Sequence, residues 1–223
     1  MTRFETFQEI LQSRYSCRAF LPEPLGRDRI EAIAATAQRV PSWCNAQPWQ
    51  LIITDGDETE KFRRYIYDVA TSQADNTDIP FPSKYEGIYK ERRRNCGFQL
   101  YDSLGIEKGD RAASARQMLE NYNFFGAPHI AIVTTERALG EYGILDCGGF
   151  ITGFTLAAAA DGVATIPQAA IAAFSNEVRS YFDIPEDRAI VCGLAMGLSD
   201  EEAPVNQFRT DRATPAEVID WRG

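Results

Sequence analysis

Apolar side chains near the start of the chain recur at the spacing of an α-helix. Over residues 4–14 they stand three or four positions apart and therefore share one helical face: Phe4, Phe7, Ile10 and Leu11. The same spacing predicts a second helix from Asp28, which ends near Val40 because Pro41 disfavours helical backbone in the residue before it. A third helix is predicted after residue 54, and two more over residues 86–104 and 111–122.

Short apolar runs predict strands between these helices. Residues 49–54, 129–135 and 189–196 are mainly apolar, as is typical of buried strands. A long central helix is predicted over 139–160, ended by Asp161 and Gly162, and a shorter helix over 174–182. Residues 164–170 are predicted as a proline turn that feeds a short helix, and the tail from Ser199 as extended and polar. Many helices, few strands and no repeated βαβ order predict one α+β domain over residues 1–223.

Two features of this pattern have more than one explanation. Gly149, Gly153 and Ala157 recur every four residues along the central helix, although a glycine inside a helix costs roughly 1 kcal/mol relative to alanine. Such a ridge lets a second backbone come close, either within the subunit or across a dimer interface, and the spacing favours neither. Residues 72–85 are polar and contain prolines, which predicts a surface loop of a length often used for binding or as a lid.

Composition narrows the classes of partner. The 223 residues carry a formal net charge of −9, which argues against nonspecific binding to nucleic acid or to an anionic membrane. The five cysteines are scattered singly and the N-terminus has no apolar signal segment. These features predict reduced thiols and a soluble, cytoplasmic protein.

The residue types also exclude several kinds of chemistry. His129 is the only histidine, so a zinc site built on two histidines cannot form. The sequence contains no G-x-S-x-G motif of serine hydrolases, no phosphate-binding P-loop and no Rossmann G-x-G-x-x-G motif. Because His129 opens an apolar run, we expect it to be a residue at the start of a buried strand rather than a catalytic base.

Three segments carry candidate chemistry. Arg14 and Arg18 flank the hydroxyl of Ser16 and could grip a phosphate, although cations at a helix C-terminus also balance the helix dipole. Residues 41–49, PSWCNAQPW, hold amide and aromatic groups that suit the polar edge of a flat heterocycle, and that equally suit a turn packed by two tryptophans. Residues 164–170 offer backbone N–H groups to a ligand, which alone indicates little.

Together these segments resemble the FMN-dependent nitroreductase family. The specific part is R-x-S-x-R-x-F from Arg14 to Phe20, followed by P-S-x-x-N-x-Q-P-W from Pro41 to Trp49. The glycine-rich central helix, the proline at 167, the glycines at 193 and 197 and an arginine-bearing tail agree in order. Residues 91–101 are similar to a subgroup that acts on nitroaromatics such as nitrobenzoate or nitrobenzene.

The resemblance implies a fold, an assembly and a reaction. The fold would be a central, mostly antiparallel sheet of about four to five strands flanked by helices. Two copies would form an intertwined homodimer with FMN at the interface, each site drawing on both subunits. NADPH or NADH would reduce FMN in a ping-pong cycle, and a nitroaromatic acceptor would then be reduced to the hydroxylamine. The protein would supply positioning and electrostatics, so no dedicated catalytic base is expected.

Individual roles follow from the same resemblance. Arg14 and Ser16 would hold the phosphate and ribityl end of FMN, and Arg18 would face the N1–C2=O edge, where a cation stabilises the charge added by reduction. The arginine at 212 matches a phosphate-binding arginine, with the one at 209 as a second candidate. The full expected FMN-binding set is Arg14, Tyr15, Ser16, Arg18, Pro41, Ser42, Trp43, Asn45, Gln47, Pro167, Gln168, Ala169, Ala170, Arg209 and Arg212.

Two parts of this set carry qualifications. The residues at 41, 42, 43 and 45 would come from the partner subunit, with Gln47 a less certain member. Ala169 and Ala170 stand where the family often has an acidic residue and a glycine, so only a backbone donor would remain there.

Other functions stay open at this level. On the same fold, the acceptor could be a quinone, a free flavin or a halogenated tyrosine, although residues 72–122 show no Glu-Tyr-Lys lid typical of the dehalogenases. A flavin-binding protein without turnover is a further alternative, and a small hydrolase is disfavoured by the missing motif. The run Arg92–Arg94 is expected to lie on a solvated face paired with Glu86 and Glu91, or to send one arginine to an acidic ligand.

Overall fold

One antiparallel sheet forms the centre of the fold in the computed structural model, which describes all 223 residues. Its strands are Gln50–Ile53 (β1), His129–Glu136 (β2), Ala164–Gln168 (β3) and Arg188–Gly197 (β4), in the order β1–β2–β4–β3. Every neighbouring pair is antiparallel, and Ile132 lies opposite Ile52 on one side and Gly193 on the other. The predicted α+β class and the antiparallel sheet are confirmed.

Eight α-helices surround the sheet: Arg3–Ser13 (α1), Arg27–Ala37 (α2), Gly56–Ser72 (α3), Gly87–Ser103 (α4), Arg111–Leu119 (α5), Gly140–Ala160 (α6), Ser175–Tyr181 (α7) and Pro215–Val218 (α8). The predicted helices all exist, but α2 and α5 end earlier than expected. The prediction of a wholly extended tail was wrong, because Thr214 and Glu217 cap α8 reciprocally and Pro215 starts it. That capping signature can be read from T-P-A-E in the sequence.

The prediction for residues 164–170 was also wrong in its first half. Ala164–Gln168 is not a turn but the strand β3, and the expected helical turn follows only at Ile171–Phe174. Proline is tolerated here because β3 lies at the edge of the sheet, where an N–H pointing outward is not needed for pairing. An edge position cannot be recognised from a single apolar segment.

Two clusters of apolar side chains cover the two faces of the sheet. Successive residues of β2 alternate between them, with Ile130 and Ile132 in one cluster and Ala131 and Val133 in the other. The first cluster includes Phe62, Ile66 and Val69 of α3. The second includes the buried side chains of α2 and α6: Ile30, Ile33, Ala37, Cys147, Phe150, Phe154 and Ala158.

His129 has a structural role, as expected. Its side chain is 1% exposed at the start of β2. Nε2 accepts a hydrogen bond from the Leu25 backbone N–H at 2.8 Å, and Nδ1 lies 3.1 Å from the Thr54 carbonyl oxygen, to which it donates. Both ring nitrogens are therefore used to join two loops to the sheet.

The middle of the 72–85 loop is fixed to the body of the protein. The carboxylate of Asp78 accepts hydrogen bonds from Arg179 and from the backbone N–H of Ile190, both at 2.8 Å, and from Arg137 at 2.5 Å. The side chain of Asn76 bonds to Glu177 and to the backbone of Asn176. Residues 76–79 are therefore a half-buried, anchored element, and residues 72–75 and 80–85 on either side of it are exposed.

The ridge of small residues on α6 divides between two environments. A Cβ added at Gly153 would lie 2.5 Å from the Val40 side chain, so this glycine allows α2 and its C-terminal turn to pack closely within the subunit. A Cβ added at Gly149 would meet no atom within 4 Å. Close packing within the subunit thus explains Gly153, and the Gly149 side of α6 is open.

Several apolar faces have no covering within the chain. The amphipathic helix α1 has no buried residue, and Phe4 is 68% exposed. On α6, Leu145 is 67% exposed, and the most apolar 18-residue stretch of Arg137–Ala160 is only 33% buried. By length and composition alone that segment could cross a membrane, but its buried side packs on α2 and the sheet as a core helix does.

Candidate functional site

The segment from Arg14 to Phe20 has little regular structure and is fixed by hydrogen bonds to three distant parts of the chain. The backbone N–H of Cys17 donates to the Thr165 carbonyl of β3 at 3.1 Å, and that of Phe20 to the Phe125 carbonyl at 3.2 Å. Arg18 N–H donates to the Asn206 side chain at 2.8 Å. The segment is therefore an irregular but well-anchored platform at the C-terminal end of α1.

This platform forms one wall of a cavity of about 510 Å³, which we call the arginine cavity. The structure brings six of the predicted site residues together in its lining: Arg14, Tyr15, Ser16, Arg18, Arg209 and Arg212. The volume lies within the range of small-molecule and cofactor sites. Residues from the two ends of the chain thus meet in one site, as the resemblance implies.

The four guanidinium groups of the arginine cavity lack carboxylate partners. No ion pair in the structure includes any of them. Arg18 donates to the Ser16 carbonyl at 3.2 Å, Arg209 to the Asn206 carbonyl at 2.7 Å, and Arg212 to the hydroxyl of Thr210 at 2.6 Å. Uncharged acceptors leave the positive charge uncompensated, so the site suits an anionic ligand with several acceptor oxygens, such as a phosphate monoester.

Burial and one pair of like charges shift the pKa values of residues in the cavity. Burial lowers the pKa of both the Arg14 and the Arg18 guanidinium, and the nearby charge of Arg212 lowers the pKa of Arg14 further. Burial also raises the pKa of the Tyr15 phenol, whose ring carries Arg209 3.8 Å from its centroid. A bound anion would relieve the repulsion between Arg14 and Arg212.

The predicted loop 41–47 lies elsewhere in the chain, near the N-terminal end of α6. Its Trp43 N–H donates to the Asp146 carboxylate at 3.0 and 3.1 Å, and the Trp43 ring lies 4.9 Å from that of Tyr142. The arginine platform instead borders Ala159 at the other end of the helix. The 13 residue steps from 146 to 159 span about 20 Å of helix. One chain therefore does not bring Pro41, Ser42, Trp43, Asn45 and Gln47 to the arginine cavity.

The backbone of this loop is strained. Cys44, Asn45 and Gln47 have positive φ angles of 49°, 56° and 48°, which non-glycine residues adopt infrequently. The loop is held in place by the Asp146 contacts and by a 3.0 Å hydrogen bond from the Gln47 N–H to the hydroxyl of Ser42. The two tryptophans do not pack as a pair: Trp49 stacks on Phe150 in the core, whereas Trp43 is 61% exposed. Strain of this kind concentrates at functional sites.

The predicted residues 167–170 lie at the end of β3 and directly after it, and they do not line the arginine cavity. Pro167 and Ala169 are exposed, whereas the Gln168 side chain points inward and donates to the Asn121 carbonyl at 2.7 Å. Ala170 is half-buried. The backbone at the end of β3 is thus accessible, and the Gln168 side chain is committed to the interior.

Five residues that line the arginine cavity were not among the predicted site residues. The further lining residues are Leu11, Gln12, Cys96, Phe208 and Thr210. Phe208 and Thr210 flank a predicted arginine and could have been suggested by proximity, but Cys96 arrives on α4, whose position no local pattern reveals.

The arginine run of α4 also differs from expectation. Glu86 pairs with Lys84, and Arg92 reaches Glu217 of α8 at 3.7 Å. Arg93 and Arg94 lie over the rings of Tyr85 and Phe98. The predicted pairing with Glu86 and Glu91 was wrong because the folded tail supplies a carboxylate from outside the helix.

Comparison with known proteins agrees with the geometry. A sequence model of the Nitroreductase family matches residues 11–198. A 4-nitrobenzoate reductase of Pseudomonas putida is 32% identical over 208 residues, covering 93% of this chain and 92% of that protein. The crystal structure of the FMN and NADPH-dependent nitroreductase NfnB from Sphigopyxis sp. strain HMH is 33% identical, with a TM-score of 0.92 over 97% of this chain and 99% of that one. The FMN-dependent nitroreductase NfnB of Mycobacterium smegmatis, solved in complex with NADPH, has a TM-score of 0.93 at 26% identity over 99% and 100% of the two chains. This chain belongs to the nitroreductase family.

Proposed function

We propose that this protein is an FMN-dependent oxidoreductase that uses NADPH or NADH to reduce nitroaromatic compounds to hydroxylamines. The observation that carries the proposal is the convergence of Arg14, Arg18, Arg209 and Arg212 on one cavity without a carboxylate among them. The similar proteins described as FMN and NADPH-dependent nitroreductases and as a 4-nitrobenzoate reductase support the choice of cofactor, donor and acceptor.

The donor set of the cavity fits FMN. Burial, and after it the repulsion from Arg212, lower the pKa of Arg14, and a phosphate dianion is a ligand that converts this repulsion into attraction. The Ser16 hydroxyl adds a donor for the ribityl chain or the phosphate. Arg209 would contribute from its position above the Tyr15 ring.

Bound FMN supplies the redox chemistry, by accepting a hydride from the nicotinamide and passing two electrons to the acceptor. Arg18 would face the N1–C2=O edge, where its half-buried charge stabilises the negative charge that reduction adds. A charge fixed before the reaction needs no reorganisation during it, and the segment that carries Arg18 is held by hydrogen bonds on both sides. Partial burial strengthens the effect because it keeps water away from the guanidinium.

We further propose that the working unit is a homodimer. Apolar faces left open in the single chain support it: α1 has no buried residue, and Leu145 and Gly149 lie on an uncovered side of α6. Trp221 in the tail is 87% exposed. Large contiguous apolar surfaces are uncommon on monomers. Light scattering during gel filtration measures the mass directly, and a species of one chain's mass would contradict the dimer.

Each FMN site would be completed by loop 41–47 of the second copy. Within one chain this loop and the arginine cavity lie at opposite ends of α6, so two copies crossing at this helix would bring each loop to the other's cavity. The strained backbone of Cys44, Asn45 and Gln47 supports a binding role for the loop, and Trp43 offers an exposed ring. The accessible backbone after Pro167 would supply the remaining N–H donor.

Complementation between two defective variants tests the shared site. Arg14→Ala removes a cation from the cavity, and Asn45→Asp removes an amide donor while keeping a residue type that tolerates positive φ. Each variant alone should bind FMN poorly at both sites. After mixing and refolding, a mixed dimer has one intact site, so FMN binding should recover. No recovery in mixed dimers would place both residues in a site built by one chain.

The visible spectrum is the most direct test of the function itself. We expect purified protein to be yellow, and NADPH or NADH to bleach it under anaerobic conditions. Colourless, folded protein that takes up no added FMN would overturn the proposal. Bleaching by either donor without turnover of any acceptor would indicate a flavin-binding protein that is not a reductase.

Steady-state rates identify the acceptor. We expect the highest kcat/KM with nitrobenzoate or nitrobenzene, with two molecules of NAD(P)H consumed for each hydroxylamine because two successive two-electron reductions are needed. Higher values with menadione or iodotyrosine would assign the site to a quinone reductase or a dehalogenase instead. A cytoplasmic location belongs to the same proposal and is supported by the five free thiols.

A further inference from the structure

One buried carboxamide connects the Arg18 platform to the C-terminal tail. Asn206 ends the short helical turn Pro204–Asn206 and is only 2% exposed. Its Oδ1 accepts from the Arg18 backbone N–H at 2.8 Å. Its Nδ2 donates to the Ala19 carbonyl at 2.9 Å and to the Asp200 carbonyl at 2.8 Å. The side chain therefore bonds to the backbone at both Arg18 and Ala19 and links them to Asp200 at the start of the tail. We call these three hydrogen bonds the clamp.

The clamp uses every property of an asparagine side chain. Carbonyl oxygens lie on the Nδ2 side and an N–H lies on the Oδ1 side, which fixes the orientation of the amide. An aspartate would keep the acceptor but would set a second negative oxygen against the carbonyls of Ala19 and Asp200. An alanine would lose all three bonds and leave buried polar groups of the platform unpaired.

Asn206 also holds a second guanidinium of the cavity. Its backbone carbonyl accepts from Arg209 Nη1 at 2.7 Å. One residue thus orients Arg18 through its side chain and Arg209 through its backbone, although it does not line the arginine cavity itself. Of the N–H groups that anchor the platform, those of Cys17, Phe20 and Leu21 donate to backbone carbonyls. Only the Arg18 N–H depends on a side chain, and a single substitution can remove that support.

We propose that Asn206 is a positioning residue that sets the Arg18 guanidinium against the bound cofactor. It thereby tunes the affinity of the protein for FMN and the redox potential of the bound FMN. This inference rests on the proposed function, because its consequences are read out through FMN. It assigns no contact between Asn206 and the cofactor, and we expect the effect of the side chain to pass through Arg18, whose backbone N–H it holds.

The main test is a double-mutant cycle of Asn206→Ala and Arg18→Ala, measured as FMN dissociation constant and as midpoint potential of the fully loaded protein. We expect Asn206→Ala to weaken FMN binding about tenfold. We also expect it to reduce the preference for reduced over oxidised FMN about tenfold, which a two-electron couple reports as about 30 mV. Both effects should vanish in the Arg18→Ala background. Effects of equal size in both backgrounds would overturn the proposal.

A matched control separates positioning from general damage to the tail. Gln207, the next residue, is exposed, and its side chain bonds only to the Glu201 carbonyl. Gln207→Ala should leave both the FMN dissociation constant and the potential at wild-type values. If Gln207→Ala changed them as much as Asn206→Ala does, the tail as a whole and not the clamp would be responsible.

Hydrogen exchange of the Arg18 amide provides a readout that needs no flavin. In the FMN-free protein, Asn206→Ala should accelerate this exchange about tenfold, the factor that corresponds to 1.4 kcal/mol. Asn206→Asp, which keeps the acceptor and nearly the volume, should restore much of the protection. Asn206→Leu, which keeps the branched shape but has neither donor nor acceptor, replaces the alanine variant if that fails to fold. If wild-type protein binds no FMN, the proposed function fails, and exchange alone decides the positioning role: unchanged Arg18 protection would reject it.

Discussion

The protein contains two arginine clusters that differ in one respect, the presence of a carboxylate. In the Asp78 cluster, Arg137 and Arg179 share the carboxylate of Asp78, which is 8% exposed. In the arginine cavity, four guanidinium groups share no carboxylate, and those of Arg18, Arg209 and Arg212 bond to carbonyl and hydroxyl oxygens. The first cluster contains its own counterion and anchors a loop. The second cluster lacks an internal counterion and is therefore suited to bind an anionic ligand.

Removal of the internal counterion should produce the largest effect. Asp78→Asn leaves the Arg179 guanidinium, 6% exposed, without a neighbouring buried charge, and should lower the free energy of unfolding by about 3–5 kcal/mol in urea titrations. Asp55→Asn is the matched control, because its partner Arg27 is exposed, and should cost under about 1 kcal/mol. A similar small cost for both variants would remove the structural role assigned to the Asp78 cluster.

Removal of a cation from the arginine cavity should have the opposite result: FMN binding weakens while the free energy of unfolding is kept. Arg14→Ala should weaken FMN binding by about 1.5–3 kcal/mol, since it loses a charge-assisted contact. The FMN-free protein should be as stable as wild type or more stable, because the repulsion from Arg212 disappears. Fluorescence titration of FMN and urea unfolding measure the two quantities. A loss of stability without a loss of FMN affinity would mean that Arg14 supports the fold and does not bind FMN.

The contrast between the clusters also shows what the sequence can predict. Arg14, Ser16 and Arg18 are close along the chain, so their shared role is visible in a short motif. The Asp78 cluster joins a loop to residues about 60 and 100 positions away, and no local pattern indicates such a contact. The same distance explains why Cys96 and Asn206 were missed at the site.

The fold follows a similar rule. Helices with a strong 3.6-residue pattern, such as α3, were predicted because their core contacts are encoded by their own spacing. The strand β3 was missed because it is short, contains Pro167 and depends on pairing with β4. Where an element is held by distant residues, the pattern within it is insufficient.

A third prediction tests position within the cavity through electron affinity. Arg18→Ala should lower the two-electron potential of bound FMN and slow its reduction by NADPH. A tenfold change in the preference for the reduced form corresponds to about 30 mV. The potential of FMN bound to Arg18→Lys, which keeps a cation, should lie between those of the wild type and of Arg18→Ala. An unchanged potential in a fully loaded Arg18→Ala protein would mean that Arg18 does not face the N1–C2=O edge.

The smallest expected difference is that between the FMN affinities of variants of the two tail arginines, Arg209 and Arg212. Arg212 crowds Arg14, whereas Arg209 is occupied by the Tyr15 ring and by the carbonyls of Asn206 and Phe208. We therefore expect Arg212→Ala to weaken FMN binding more than Arg209→Ala, for which the cost should be about 1 kcal/mol or less. Comparison of FMN with riboflavin isolates the phosphate, because only a phosphate-binding arginine contributes to the difference between the two ligands. Arg212→Ala should narrow that difference and Arg209→Ala should leave it unchanged; the reverse result would exchange their roles.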